Sequence, residues 1–206
     1  MTLLWVAVLL LMTAAALCVV WRWAALPCPW WLVPVLENPY FQRVAGAELL
    51  MDRAGVRPGM AVLDAGCGPG RVTVPVARRV GLGGRVLAVD VQPRMLRRLQ
   101  RRVEQGGIGH VETVLGELGA VGLPPGAFDV ALLVTVLGEL PDKAKVLSEI
   151  RGTLKQDGVL SVTEVLPDPH YQTVARVRAL ARDAGLHEVA LFTGLLGYTI
   201  NLARDG

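Results

Sequence analysis

The sequence is short of the residues that build several common sites. Of its 206 residues three are cysteine, Cys18, Cys28 and Cys67. They stand far apart, so neither a disulfide framework nor a C-x-x-C metal pair is available, and no metal site is expected. No G-x-x-x-x-G-K-[ST] stretch occurs, which removes an ATP-type P-loop. No tyrosine has a lysine four residues on, the pair that a short-chain oxidoreductase requires. There is no internal repeat and no low-complexity tract. The net charge of +3 is too modest to argue for nucleic acid as a partner.

Charge is missing altogether from Met1 to Trp21, where only Thr2 and Thr13 interrupt an apolar run. A bilayer core takes about 20 apolar residues to cross, and no basic n-region marks a cleaved signal peptide. The run predicts a retained single-pass anchor over residues 1–22; a long helix packed on the enzyme or a partner is the alternative. The first charge is Arg22, after the run, and Arg43, Arg53 and Arg57 follow on the same side, so the positive-inside bias places the catalytic part in the cytoplasm. Trp21, Trp23, Trp30 and Trp31 suit an interfacial belt. Pro27, Pro29 and Pro34 predict a helix-free connector at the bilayer surface within residues 23–38. Residues 39–206 are the size of one domain.

What the domain does have is Val62-Leu63-Asp64-Ala65-Gly66-Cys67-Gly68-Pro69-Gly70, a strand of buried type running into three alternating glycines. Without Cβ, Gly66, Gly68 and Gly70 let the backbone approach a ligand at the start of the next helix. The dinucleotide fingerprint wants a sixth-position glycine where this chain has Arg71. A second strand, Arg85-Val86-Leu87-Ala88-Val89-Asp90, ends in the carboxylate that would accept both ribose hydroxyls. Asp64 to Gly70 followed by Asp90 resembles the cofactor motifs of class I S-adenosylmethionine methyltransferases, and the wording is most similar to the UbiE-like group. The resemblance runs through most of residues 38–202. It includes Phe128–Val134 as a fourth strand, and Leu147–Gly158 as the helix-turn entry to a fifth.

Patterning predicts strands near 60–65, 85–90, 110–115, 128–134 and 158–165, with helices near 41–54, 73–80, 93–105, 142–155 and 170–184. Alternating elements mean a mainly parallel α/β sheet with helices on both faces. His187–Thr193 and Gly197–Leu202 add a closing hairpin through Gly194-Leu195-Leu196, for a doubly wound sheet of seven strands. Helix 93–105 carries Arg94, Arg97, Arg98, Arg101 and Arg102 on one stripe. Such a stripe is ordinarily a solvated face, and beside a membrane span it would rest on anionic lipid.

The resemblance implies S-adenosylmethionine as cofactor. Asp64 and the loop Gly66, Cys67, Gly68 and Gly70 would hold its methionine end, and Asp90 its ribose. Val91 and Leu118 would flank the adenine, and Glu117, in Gly116-Glu117-Leu118 where the family has Gly-Asp-Ala, would meet the adenine amine. Thr135 would close over the donor, and Tyr40 would touch its carboxylate. On the acceptor side the candidates are His170, as general base, Glu139 and Glu164; His110 and His187 read as strand-entry residues. The expected function is methyl transfer to a small or lipid-like acceptor met at the bilayer, such as a quinol or phenolic precursor. The alternatives are a phospholipid amine N-methyltransferase and a non-catalytic membrane scaffold that binds S-adenosylmethionine.

Overall fold

A computed structural model describes residues 27–205, together with residues 5, 6, 8, 9, 12 and 13. Seven strands form one sheet: β1 (Ala61–Ala65), β2 (Arg85–Asp90), β3 (Val111–Leu115), β4 (Phe128–Val134), β5 (Leu154–Val165), β6 (Leu186–Gly194) and β7 (Gly197–Arg204). Their order is β3-β2-β1-β4-β5-β7-β6. The first five strands are parallel, and β7 inserts antiparallel between β5 and β6. The chain winds outward from β1 to β3, then crosses back to place β4 on the other side of β1, and that reversal is where an open parallel sheet leaves a crevice.

Helices cover both faces. On one side lie α3 (Ala47–Ala54), α4 (Thr73–Val80) and α5 (Pro93–Gln105); on the other, α6 (Lys143–Thr153) and α7 (Val174–Asp183). Strand β4 shows why it reads as an almost unbroken apolar run. Val130, Leu132 and Val134 pack with Leu50, Met51 and Val76, while Ala131 and Leu133 pack with Leu147, Ile150 and Leu180. A strand buried on both faces has no polar side to alternate with. Each fully buried aliphatic side chain contributes roughly 1.5–3 kcal/mol.

Several expectations are corrected. The helix expected over 41–54 is two, α2 (Pro39–Ala45) and α3, because Gly46 takes an extended ψ of 148° and a Cβ there would lie 2.2 Å from the Gln42 carbonyl oxygen. Strand β5 starts at Leu154 rather than 158, pairing Phe128 with Leu154 before the register shifts to Val130 with Val159. Helix α7 starts at Val174 rather than 170, since Thr173 is extended and its hydroxyl accepts from the Arg176 N–H at 3.3 Å. Residues 167–172 are thereby left as a turn.

Among the described residues no helix is long and apolar enough to cross a membrane. The expected single-pass placement with a cytoplasmic catalytic domain is therefore not upheld. Most of the anchor assigned to residues 1–22, with Trp21 and Trp23, lies outside the described residues. The connector is also not helix-free: Trp30–Leu32 form a 3-10 turn and Val33–Leu36 a one-turn helix, α1. Pro34 falls in the first turn of α1, where its missing N–H costs nothing. The connector's described residues from Pro27 to Leu32 fold back over the carboxyl ends of the strands.

Candidate functional site

The loop after β1 is held from beneath by β2. The N–H groups of Gly66 and Cys67 both donate to the Val89 carbonyl, at 2.8 and 2.9 Å. The Gly68 N–H donates to Asp90 Oδ2 at 2.8 Å, and the Gln92 N–H to Asp90 Oδ1 at 2.8 Å. Asp90 thus ties the glycine loop to the start of α5 through both carboxylate oxygens, with the Val91 N–H as a further donor, and a carboxylate with about four acceptor sites keeps capacity for a ligand.

The three glycines have different reasons to be glycine. A Cβ on Gly66 would lie 2.4 Å from a Val136 methyl, and one on Gly70 2.5 Å from Leu99 Cδ1. Only Gly68, at φ +54°, would project into space with nothing within 4 Å. Two glycines are therefore required by packing, and the third leaves bare backbone beside a cavity. That cradle and the carboxylates flanking it suit an adenosyl ligand.

Burial dominates the electrostatics. Asp64 is 2% exposed, and burial pushes its pKa up to about 6 against the opposing effects of a 2.6 Å hydrogen bond from the Thr73 hydroxyl and of the nearby Arg71. Burial also raises Asp90, opposed by the hydrogen bonds from Gln92, Gly68 and Val91. Arg71, which donates to the Ala45 carbonyl, brings a cation beside Asp64. The Cys67 thiol is raised by burial, so it stays protonated.

The opposite wall comes from the ends of β4 and β5. Thr135 has φ +55°, a left-handed conformation that is an outlier for a β-branched residue. Its N–H donates to the Thr163 carbonyl at 2.8 Å, and its hydroxyl to the Val134 carbonyl at 2.7 Å. Beyond it, Glu139 Oε2 accepts from the Cys28 N–H at 3.2 Å, while the Gln92 amide donates to the Cys28 carbonyl at 2.8 Å. The connector is thus stitched across the mouth from α5 to Glu139. Burial, aided by the charges of Asp168 and Asp90, pushes Glu139 up to about 8. Burial first, then the charge on Glu139, pushes the Cys28 thiol up to about 12. The His170 N–H donates to Asp168 Oδ1 at 2.7 Å, and the His170 ring is 2% exposed. Its Nδ1 lies 3.8 Å from Asp168 Oδ1, too far for a hydrogen bond.

These walls enclose a cleft of about 520 Å³. On its donor side it is lined by Asp64, Gly66, Cys67, Gly68, Asp90 and Val91, and by Glu117 and Leu118 after β3. Thr135, Glu139 and His170 line the other side. Three expected site residues are not in its wall. Gly70 serves packing against Leu99. The Tyr40 hydroxyl donates to the Leu166 carbonyl at 2.5 Å. Glu164 is 1% exposed, accepts from the Gln172 N–H at 3.1 Å, and is pushed up to about 8 by burial. Sequence reasoning missed Pro27, Cys28 and Leu32, which cover the cleft, and also Arg71 and Gln92. Of these only Arg71 left a signal, as the charge directly after the third glycine.

Residues 62–158 match a family model described as a methyltransferase domain. Among curated proteins, the chain is 35% identical over 123 residues to the nocamycin O-methyltransferase of Saccharothrix syringae, covering 60% of this chain and 44% of that one. It is 36% identical over 115 residues to the ubiquinone/menaquinone biosynthesis C-methyltransferase UbiE of Hydrogenovibrio crunogenus, covering 55% and 45%. The chain thus spans less than half the length of these relatives. Among solved structures, a SAM-dependent methyltransferase from Aquifex aeolicus superposes with a TM-score of 0.79 at 23% identity, covering 85% of this chain and 98% of that one. A Burkholderia thailandensis 1,6-didemethyltoxoflavin-N1-methyltransferase, solved with S-adenosylhomocysteine, superposes with a TM-score of 0.63 at 22% identity over 82% of each chain. Residues 62–158 thus resemble a methyltransferase domain, and the chain has the fold of solved S-adenosylmethionine-dependent methyltransferases.

Proposed function

We propose that this chain transfers a methyl group from S-adenosylmethionine to a small-molecule acceptor that loses a proton, a phenolic or quinol-type hydroxyl in the first instance. The observation that carries the reading is Asp90, which braces Gly68, the glycine of the loop whose Cβ position is open, and keeps acceptor capacity toward the ribose hydroxyls. The donor brings an already activated methyl group, so the protein contributes alignment and exclusion of water. Val91 and Leu118 flank the adenine and Glu117 meets its amine. Asp64, Arg71 and the backbone from Gly66 hold the methionine end, and Thr135 closes the wall between donor and acceptor.

On the acceptor side, Glu139 takes the proton as the acceptor oxygen bonds to the methyl carbon and the carbon–sulfur pair returns to sulfur. A carboxylate raised to about 8 is a stronger base than an ordinary one. His170 lines the same end of the cleft as a positioning neighbour. The presence of both Glu139 and Asp168 in that wall favours, as a second reading, a cationic amine acceptor.

The test is incubation with methyl-labelled S-adenosylmethionine and separate panels of phenols, quinols and small amines. Label should enter one class, with S-adenosylhomocysteine formed in equal amount. Binding of S-adenosylmethionine with no label transferred to any panel would contradict the enzymatic reading and leave a binding protein.

A further inference from the structure

The outer face of α5 takes no part in the chemistry above. Arg94, Arg97, Arg98 and Arg101 line a groove of about 630 Å³ that Trp30 closes on one side. The fifth arginine of the stripe is accounted for: Arg102 pairs with Glu37 and donates to the Pro69 carbonyl. The other four have no carboxylate partner among the described residues, although Glu104 stands in the same wall. Arg94 instead stacks on the Trp30 ring, 4.5 Å from its centroid.

Arg57, Arg78, Arg176 and Arg182 likewise have no carboxylate partner among the described residues, but only here do four such groups line one groove; elsewhere arginines are singly placed or paired. Arg79 is paired with Glu48 and Asp52, and Arg178 with Glu188. Like charges three and four residues apart on a helix repel, so four unpaired guanidinium groups in one concavity destabilise the free protein and favour an anion. From Arg94 to Arg101 the helix rises about 10 Å, a length that suits linked phosphoryl groups. Guanidinium forks match phosphoryl oxygens two at a time.

We propose that this groove is a binding site for a small molecule bearing a diphosphate or triphosphate. Met95 lies in the wall of both groove and donor cleft, so the occupant sits beside the cofactor without using its contacts.

The test is calorimetric titration of the full chain with inorganic pyrophosphate at low ionic strength. It is repeated for the double variant Arg97→Gln/Arg101→Gln and for a control, Arg176→Gln/Arg182→Gln, which removes equal charge from exposed positions on the opposite face. Pyrophosphate should bind the parent and the control alike, and the groove variant about tenfold or more weakly through the loss of two charge-assisted contacts. S-adenosylmethionine affinity, measured in parallel, should be equal in all three, which separates this site from the proposed activity. No binding of pyrophosphate, equal binding by the groove variant, or binding only to vesicles of anionic lipid would overturn the proposal.

Discussion

Replacing Asp90 by asparagine separates what the carboxylate does for the fold from what it does for the ligand. In the fold it accepts backbone N–H groups from Gly68 and Gln92, each at 2.8 Å, and from Val91. Burial nonetheless raises its pKa. A raised carboxyl contributes stability that is complete below its unfolded pKa and lost as pH rises through the folded one. Near neutral pH, then, the charge is a net burden on the free protein. Asparagine removes that burden but leaves one N–H facing an amide donor, at a cost of about 1–3 kcal/mol. The two effects oppose, and the urea midpoint should move by no more than roughly 1 kcal/mol equivalent. Binding has no such offset. Hydrogen bonds to a charged group contribute about 1.5–3 kcal/mol each, and losing about 3 kcal/mol across the two ribose hydroxyls is about 100-fold in affinity. Calorimetry with S-adenosylhomocysteine on a variant of unchanged urea midpoint reads this directly. Affinity within about threefold of the parent would show that Asp90 braces the loop and does not hold the ribose.

Gly70→Ala should destabilise the fold by about 1–3 kcal/mol in urea, because its Cβ would lie 2.5 Å from Leu99 Cδ1 at φ +85°; a neutral result would mean that Leu99 moves aside freely. Glu139 and Glu164, both raised to about 8, should make the ligand-free protein less stable as pH rises from about 5 to about 9. The change should be on the order of a few kcal/mol, and a thermal midpoint that climbs over that range would contradict the assigned burial. Glu139→Gln should lower turnover by about 100-fold or more with little change in S-adenosylmethionine affinity, and should abolish the rise in rate near pH 8. Unchanged turnover would move the proton-accepting role elsewhere.

The elements that carry the cofactor cradle were legible because their signals are local. β2 and β4 have the predicted bounds, since a strand buried on both faces writes its whole length in apolar residues. The glycine loop was legible as a motif but not in its parts: only a folded chain shows that Gly66 answers to Val136 and Gly70 to Leu99. What escaped depends on contacts far apart in sequence. Tyr40 turns to the Leu166 carbonyl 126 residues away. Cys28 is fixed between Gln92 and Glu139, 111 residues apart from the latter. The proline- and tryptophan-rich segment 27–36 has the composition of an interfacial connector, and composition does not distinguish a bilayer surface from the lip of a cleft. The boundary at His170 failed for a smaller reason, the Thr173 cap, which starts α7 late and leaves the histidine in a turn at the cleft wall.

The most direct measurement is a crystal structure of the full chain with S-adenosylhomocysteine. Density is expected in the cleft between the Gly68 backbone and Thr135, with both ribose hydroxyls on Asp90 and the sulfur facing the Glu139 side. A ligand bound elsewhere, or one in the cleft whose ribose makes no contact with Asp90, would contradict that placement.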